Sequence, residues 1–299
     1  MDAPPPEWGP DGPPWPHPDY SRFVDAAGVR WHVQIAGAGP PVLLLHGAGA
    51  SSHSWREAFH LLAPMFRVIA PDLPGQGRSS DGPTSVYSIR GMARATAAML
   101  RRLGVQPLLA VGHSAGAAIC ARMIIEKHMA PRALVGVNAA LLPFGGGLAS
   151  VYSGLARLLA KNPIAPRMFA WRAGWPGAVE RLIEETGSSL SDEGIAHYRR
   201  LATDPAHVAA TLRMMANWDL HELEADLPRL DAPLYLLVGD RDRTVPPDRA
   251  ASVARVVPGA EVIELTGLGH LAHEEAPRLI TDHIIAIARR HGVLPQETQ

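Results

Sequence analysis

Hydrophobic positions along this chain fall into short apolar runs separated by helical-period segments. Val29–Ile35 (VRWHVQI) alternates apolar and polar residues and predicts a half-buried strand. Val42–Leu45 (VLLL) is wholly apolar, as a strand covered on both faces must be. Arg67–Ala70, Leu108–Val111, Ala133–Asn138, Leu234–Val238 and Glu261–Leu265 continue the series. Between them the pattern predicts helices at Trp55–Leu62, Ser88–Leu103, Ala115–Lys127, about Asp248–Val257 and Pro277–Arg290. From about Leu141 to Asp226 the rhythm changes to helical segments with no strand. Strand–helix alternation interrupted by an all-helical stretch predicts an α/β fold: a mostly parallel central sheet flanked by helices, carrying an inserted helical lid. The expected division is a Pro-rich N-terminal arm over 1–18, a core over 19–140 and 227–295, and a helical lid over 141–226.

Composition narrows this only a little. The chain has 299 residues, 47% of them hydrophobic and 19% charged, which suits one large core or a core with an inserted lid. A net charge of −1 supplies no basic surface for nucleic acid. No N-terminal secretory signal and no apolar run of 18 residues is found, so the expectation is a cytoplasmic protein that does not span a membrane. The single cysteine, Cys120, lies in an apolar helix and reads as a buried structural thiol.

The candidate chemistry begins at Val111-Gly-His-Ser-Ala-Gly116, which contains G-x-S-x-G around Ser114. The pentapeptide alone arises by chance about once in ten chains of this length, so its flanks decide. A strand precedes it and a helix follows it, the setting of a nucleophile elbow. Side chains at Gly112 or Gly116 would crowd the neighbouring strand and helix. A serine hydroxyl needs a base, an acid to hold the base, and backbone N–H donors for the oxyanion. The base candidate is His270, in the glycine loop Thr266-Gly-Leu-Gly-His270 after the last strand. Three acids compete: Asp242 and Asp240 in the loop after Leu234–Val238, and Asp219 farther away. The oxyanion donors expected are the N–H groups of Ala115 and of Ala48, the latter in the loop His46-Gly-Ala-Gly-Ala50. That loop lacks the lysine of a P-loop and the G-x-G-x-x-G spacing, which argues against nucleotide binding. His270-Leu-Ala-His273-Glu274 is not the H-E-x-x-H zinc pattern, and His273 reads as a supporting or capping residue. No metal and no cofactor is expected.

The lid region Val151–Arg181 carries Arg157, Lys161, Arg167, Arg172 and Arg181 against Glu180 alone, with Tyr152, Phe169, Trp171 and Trp175. Trp171, Arg157 and Arg167 are the candidates for binding a flat apolar ligand that bears carboxylates. An ordinary helical lid with solvated arginines has the same composition. The arm's tryptophans and the apolar lid are also the places where a peripheral membrane contact would form, although no basic amphipathic helix is evident.

The order HG-x-G, PDLPGQGRS, GHSAG, GDRD and GLGH resembles the α/β-hydrolase family over almost the whole chain. In that family the acid stands three residues after the glycine ending its strand, so the resemblance implies Asp242 and a Ser114–Asp242–His270 triad. Gln76 departs from the His common in related hydrolases, outside the triad. A closer likeness is carried by Trp31-His-Val-Gln34, Asn138-Ala-Ala-Leu-Leu-Pro-Phe144, Thr186-Gly-Ser188, Met214-Met-Ala-Asn-Trp-Asp-Leu220 and Gly269-His-Leu-Ala-His-Glu-Glu-Ala-Pro277. These segments are similar to the magnesium chelatase accessory proteins of bacteriochlorophyll biosynthesis. That resemblance implies a role near magnesium insertion, a tetrapyrrole as ligand or substrate, and the chelatase subunits as partners, without defining a reaction. Two readings follow: a serine hydrolase of ester or acyl bonds, or a porphyrin-binding accessory protein with little turnover. A cofactor-free perhydrolase, with the same triad, is a minor third.

Overall fold

The computed structural model describes residues 14–143, 162 and 164–296. Its eight strands are β1 (Ser21–Ala26), β2 (Val29–Ala36), β3 (Pro41–Leu45), β4 (Arg67–Pro71), β5 (Leu109–His113), β6 (Ala133–Val137), β7 (Leu234–Gly239) and β8 (Glu261–Leu265). They form one sheet in the order β1-β2-β4-β3-β5-β6-β7-β8. β1 pairs antiparallel with β2 and β2 with β4; every later pairing is parallel.

The apolar runs occupy the middle of this sheet because helices cover both of its faces. Leu43, Leu45, Ala110, Leu134 and Leu236 enter one core, with α2 (Ile89–Arg102) and α3 (Ala115–Ile125). Their alternates Val42, Leu44, Leu109, Val111, Val135 and Leu237 enter the other, with α1 (Arg56–Leu62) and the C-terminal helix Pro277–Arg290. Two buried faces leave no polar alternate, so the strands read as continuous hydrophobic sequence. Cys120 is buried in α3, and burial pushes its thiol pKa up.

Between β6 and β7 the chain inserts helices α4 (Ala165–Ala173), α5 (Ala178–Glu185), α6 (Asp192–Ala202), α7 (Pro205–Ala216) and α8 (His221–Asp226). Then follow α9 (Asp248–Val256), the short α10 (Ala272–Glu275) and α11 (Pro277–Arg290). None of the described helices is long and apolar enough to cross a membrane.

The element missed by pattern is β1. Its sequence Ser-Arg-Phe-Val-Asp-Ala has no buried residue, since it sits on the sheet edge. Its hydrogen bonds to β2 define it, not its hydrophobicity. Of the Pro-rich arm, the described part reaches the core: Trp15 is 8% exposed and meets His32 edge-on at 5.6 Å.

Candidate active site

Parallel strands β3, β5, β6, β7 and β8 end on the same sheet edge, and the loops leaving them build the site. Ser114 follows β5 directly. It has φ 49° and ψ −116°, a left-handed conformation that a non-glycine residue holds only when its surroundings enforce it. They do: its N–H donates to the Val137 carbonyl at 3.0 Å, and its own carbonyl accepts from Ala117 at 3.1 Å and Ala140 at 3.2 Å. The flanking glycines are a steric requirement. A Cβ on Gly112 would lie 2.3 Å from the Ala117 nitrogen, and one on Gly116 2.3 Å from the Leu45 carbonyl oxygen.

His270 and Asp242 meet. Nδ1 of His270 lies 2.8 Å from Oδ2 of Asp242, and both residues are buried. The other carboxylate oxygen accepts from the backbone N–H groups of Thr244 at 2.8 Å and Val245 at 2.9 Å. The carboxylate therefore presents one oxygen to the loop and one to the imidazole. The rivals are committed elsewhere. Asp240 is exposed and accepts from Gly267 N–H at 2.7 Å, bracing the loop that leads to His270. Asp219 is exposed and accepts from His221 N–H at 2.9 Å.

The backbone of His270 is tied to the neighbourhood of Ser114. Its carbonyl accepts from Nε2–H of His113 at 2.8 Å and from Nδ2 of Asn138 at 2.8 Å, and the His113 and His270 rings lie 4.7 Å apart. Asn138 also donates to the Gly269 carbonyl at 2.8 Å and accepts from Gly239 N–H at 2.8 Å. One buried amide after β6 thus joins the end of β7 to the loop after β8. Nothing in the sequence alone assigns Asn138 a role; its position directly after a strand is the available signal. His273 is no helix cap. It is buried with its ring 4.3 Å from that of His113 and 4.4 Å from that of Trp55, where it packs the histidines from below. Burial drives the pKa of His113 and of His273 well below the ordinary imidazole value, so both rings are neutral and pack without repulsion.

The loop after β3 lies against the serine: a Cβ on Gly47 would sit 3.2 Å from that of Ser114. Its peptide planes are set by three side chains. Nδ1–H of His46 donates to the Gly47 carbonyl at 2.7 Å, while its Nε2 accepts from Leu73 N–H at 2.9 Å. Holding the Gly47 carbonyl turns the Ala48 N–H, on the same peptide, to the opposite side. Gln76 accepts from Gly49 N–H at 2.8 Å, and Nε2 of His207 lies 3.1 Å from the Gly49 carbonyl. His207 stands on α7, and its Nδ1 accepts from Gly77 N–H at 3.1 Å, so the insertion is bolted to two core loops at once. Gln76 is fully buried and orders this loop. Ala115 opens α3, where a first-turn N–H has no intrahelical partner.

A second tie between insertion and core explains the Thr186-Gly-Ser188 segment. The Thr186 carbonyl accepts from the N–H groups of both His270 (3.3 Å) and Arg243 (3.1 Å), and Ser188 Oγ accepts from Leu271 N–H at 2.8 Å. Gly187 has φ 84°, and a Cβ there would lie 1.9 Å from the Arg241 carbonyl oxygen. Gly187→Ala is therefore expected to destabilise the protein by about 3 kcal/mol. Urea unfolding checks this; a midpoint equal to wild type would refute the close-approach argument.

Of the residues nominated for ligand binding, Arg157 lies outside the described residues. Arg167 and Trp171 are exposed on α4, and Trp171 has 67% of its surface open.

A family model described as "alpha/beta hydrolase fold" matches residues 40–277. The magnesium-chelatase 30 kDa subunit of Rhodobacter capsulatus is 37% identical over 88% of this chain and 92% of that protein. Haloalkane dehalogenase 2 of Mycobacterium bovis is 28% identical over 90% of this chain and 95% of that protein. Among solved structures, an alpha/beta hydrolase fold protein from Burkholderia ambifaria superposes with TM-score 0.71 at 26% identity, covering 89% of this chain and 99% of that one.

Proposed function

Since this chain belongs to the α/β-hydrolase fold family, and within it to the family of the magnesium-chelatase 30 kDa subunit, we propose that it is a serine hydrolase of ester or acyl bonds acting near the magnesium chelatase step of bacteriochlorophyll biosynthesis. The observation that carries the hydrolytic part is the buried His270–Asp242 pair at 2.8 Å, on the same sheet edge as a serine held at φ 49°. In this reading Ser114 Oγ attacks the acyl carbon while Nε2 of His270 takes its proton. Asp242, bonded to Nδ1, keeps Nε2 free of hydrogen and stabilises the imidazolium that forms. The Ala48 and Ala115 N–H groups hold the oxyanion. Collapse of the tetrahedral intermediate expels the leaving alcohol, which takes the proton from His270. Water, activated by the same histidine, then releases the acid and restores the serine.

The substrate class comes from a different line of support. A fold shared with a haloalkane dehalogenase, which breaks a carbon–halogen bond, supports neither a particular bond nor a particular substrate. The likeness to a chelatase subunit directs the reading to tetrapyrroles, as esters or as ligands. One observation favours a second reading, a porphyrin-binding accessory protein with little turnover: that relative is named as a subunit, not for a reaction.

Fluorophosphonate labelling read by intact mass separates the two. The hydrolase reading expects one adduct per chain, abolished in Ser114→Ala and strongly reduced in His270→Ala. Folded wild-type protein that stays unlabelled while binding protoporphyrin or its magnesium complex in a fluorescence titration would sink that reading and leave the second.

A further inference from the structure

Helix α4 is inside out. Its sequence Ala-Pro-Arg-Met-Phe-Ala-Trp-Arg-Ala buries Ala165, Pro166, Ala170 and Ala173 and exposes every large side chain. Met168 is 62% exposed, Phe169 44% and Trp171 67%. Ile164 before the helix, Trp175 after it and Leu182 on α5 are exposed as well, and the Trp171 and Trp175 rings touch. These six are half of the twelve large hydrophobic residues exposed among those described, gathered in nineteen positions of the chain. Surface apolar residues are normally scattered; a gathered patch marks a surface that something covers.

The charges around it say what. Between 164 and 182 the charged residues are Arg167, Arg172, Arg181 and Glu180, and Glu180 is ion-paired with Arg199. The Arg172 guanidinium lies 5.5 Å over the Trp175 ring, which meets the Trp171 ring edge-on at 4.9 Å. Glu184 and Glu185 come only in the last turn of α5, beyond Leu182. Exposed tryptophans interleaved with guanidinium groups match a layer that is apolar below and anionic on top: indole rings settle at the headgroup level, and arginines pair with lipid phosphates. The underside of α4 rests on α7, the helix whose His207 holds the loop of Ala48, so the open face looks away from the core.

We propose that the α4–α5 face, from Ile164 to Leu182, is a docking surface for an anionic phospholipid bilayer. The attachment is peripheral. Trp171, Trp175 and Met168 enter the interface, and Arg167 and Arg172 supply the preference for negative headgroups. It is independent of the hydrolase reading, because none of its residues belongs to the Ser114 site. It also gives Trp171 and Arg167 a role that fits their exposure.

Flotation of the full chain with phosphatidylcholine vesicles, with and without phosphatidylglycerol, is the test. Wild-type protein is expected to float with the anionic vesicles and to dissociate as salt is raised. Trp171→Ser with Trp175→Ser should lower the partition coefficient by roughly tenfold. Arg167→Gln and Arg172→Gln should each lower it about fivefold, and only on anionic vesicles. Melting temperatures should stay at the wild-type value, since these side chains are exposed, so a loss of flotation will not report unfolding. Failure of the folded wild type to float would overturn the proposal, as would flotation indifferent to the tryptophan substitutions. So would light scattering showing a dimer that the same substitutions split, because a second copy would then be the occupant.

Discussion

Asp242→Asn is expected to lower hydrolytic turnover by roughly 10⁴-fold while leaving the fold intact. The direction follows from hydrogen bonds that leave the new amide no choice. Oδ1 of Asp242 accepts from two backbone donors, Thr244 and Val245 N–H. An asparagine must put its carbonyl oxygen there, because its NH₂ would face those donors head-on. The NH₂ then points at Nδ1 of His270, where the carboxylate now accepts at 2.8 Å. His270 can take that bond only by carrying its hydrogen on Nε2, the atom that receives the serine proton in the proposed mechanism. The base is lost through a tautomer, not through distance. Turnover of a chromogenic acyl ester, with KM and kcat separated, checks this. A drop in kcat with little change in KM is expected, and a variant within tenfold of wild type would mean that Asp242 does not orient the base.

Acidification from pH 7 to pH 5 should lower the melting temperature by roughly 10 °C or more. The chain buries histidines to an unusual degree: His46, His53, His113, His197, His207 and His273 all have 3% or less of their surface exposed. Burial pushes each of their pKa values down, His46 and His197 to about 4 and the others below the ordinary value. The unfolded chain protonates these rings near pH 6.5 and the folded chain does not, so between those limits the unfolded state binds more protons and stability falls as pH falls. The stability is complete above pH 6.5 and is lost on the way down to about pH 4. His46 alone accounts for about 3 kcal/mol over that window. Glu274 works against the trend. Burial raises its pKa to about 7 despite the Arg56 guanidinium at 2.7 Å, so its ionisation costs stability as pH rises toward 7. One such carboxyl offsets only part of six histidines. Asp72, buried too, keeps a low pKa because His32 and the Arg78 N–H outweigh burial, and it adds its loss at still lower pH. Melting curves at constant ionic strength provide the measurement, and a flat profile between pH 7 and 5 would contradict neutral burial of these rings.

The parts of the fold legible in the sequence are those where one residue's environment is set by its own element. Val42–Leu45 reads as a central strand because helices cover both of its faces, and any strand so placed must be apolar throughout. Gly112 and Gly116 mark the turn at Ser114 because contacts at 2.3 Å exclude any side chain. Helices α2, α3, α9 and α11 lie within two residues of their expected ends, since caps and periodicity are local. Edge strand β1 was not legible, because its evidence is a pairing register with β2 and not a pattern of its own.

For the candidate site, the sequence by itself determined which candidate groups stand in the loops after the strands: a serine after β5, two aspartates after β7 and a histidine after β8. Strand ends are predictable, and a parallel sheet delivers them to one edge. Only the tertiary structure decided how those groups are held. It separated Asp242 from Asp240 by burial and by a 2.8 Å bond to His270, where sequence had three acids and a family spacing. It gave Asn138, Gln76, His46 and His207 their work of tying loops, through partners up to 158 positions away along the chain. It also turned α4 outward, which composition could describe only as basic and aromatic. The physical reason is common to all of these. A hydrogen-bond partner or an exposed face is a property of what packs alongside, and hydrophobic periodicity records only whether a position is covered.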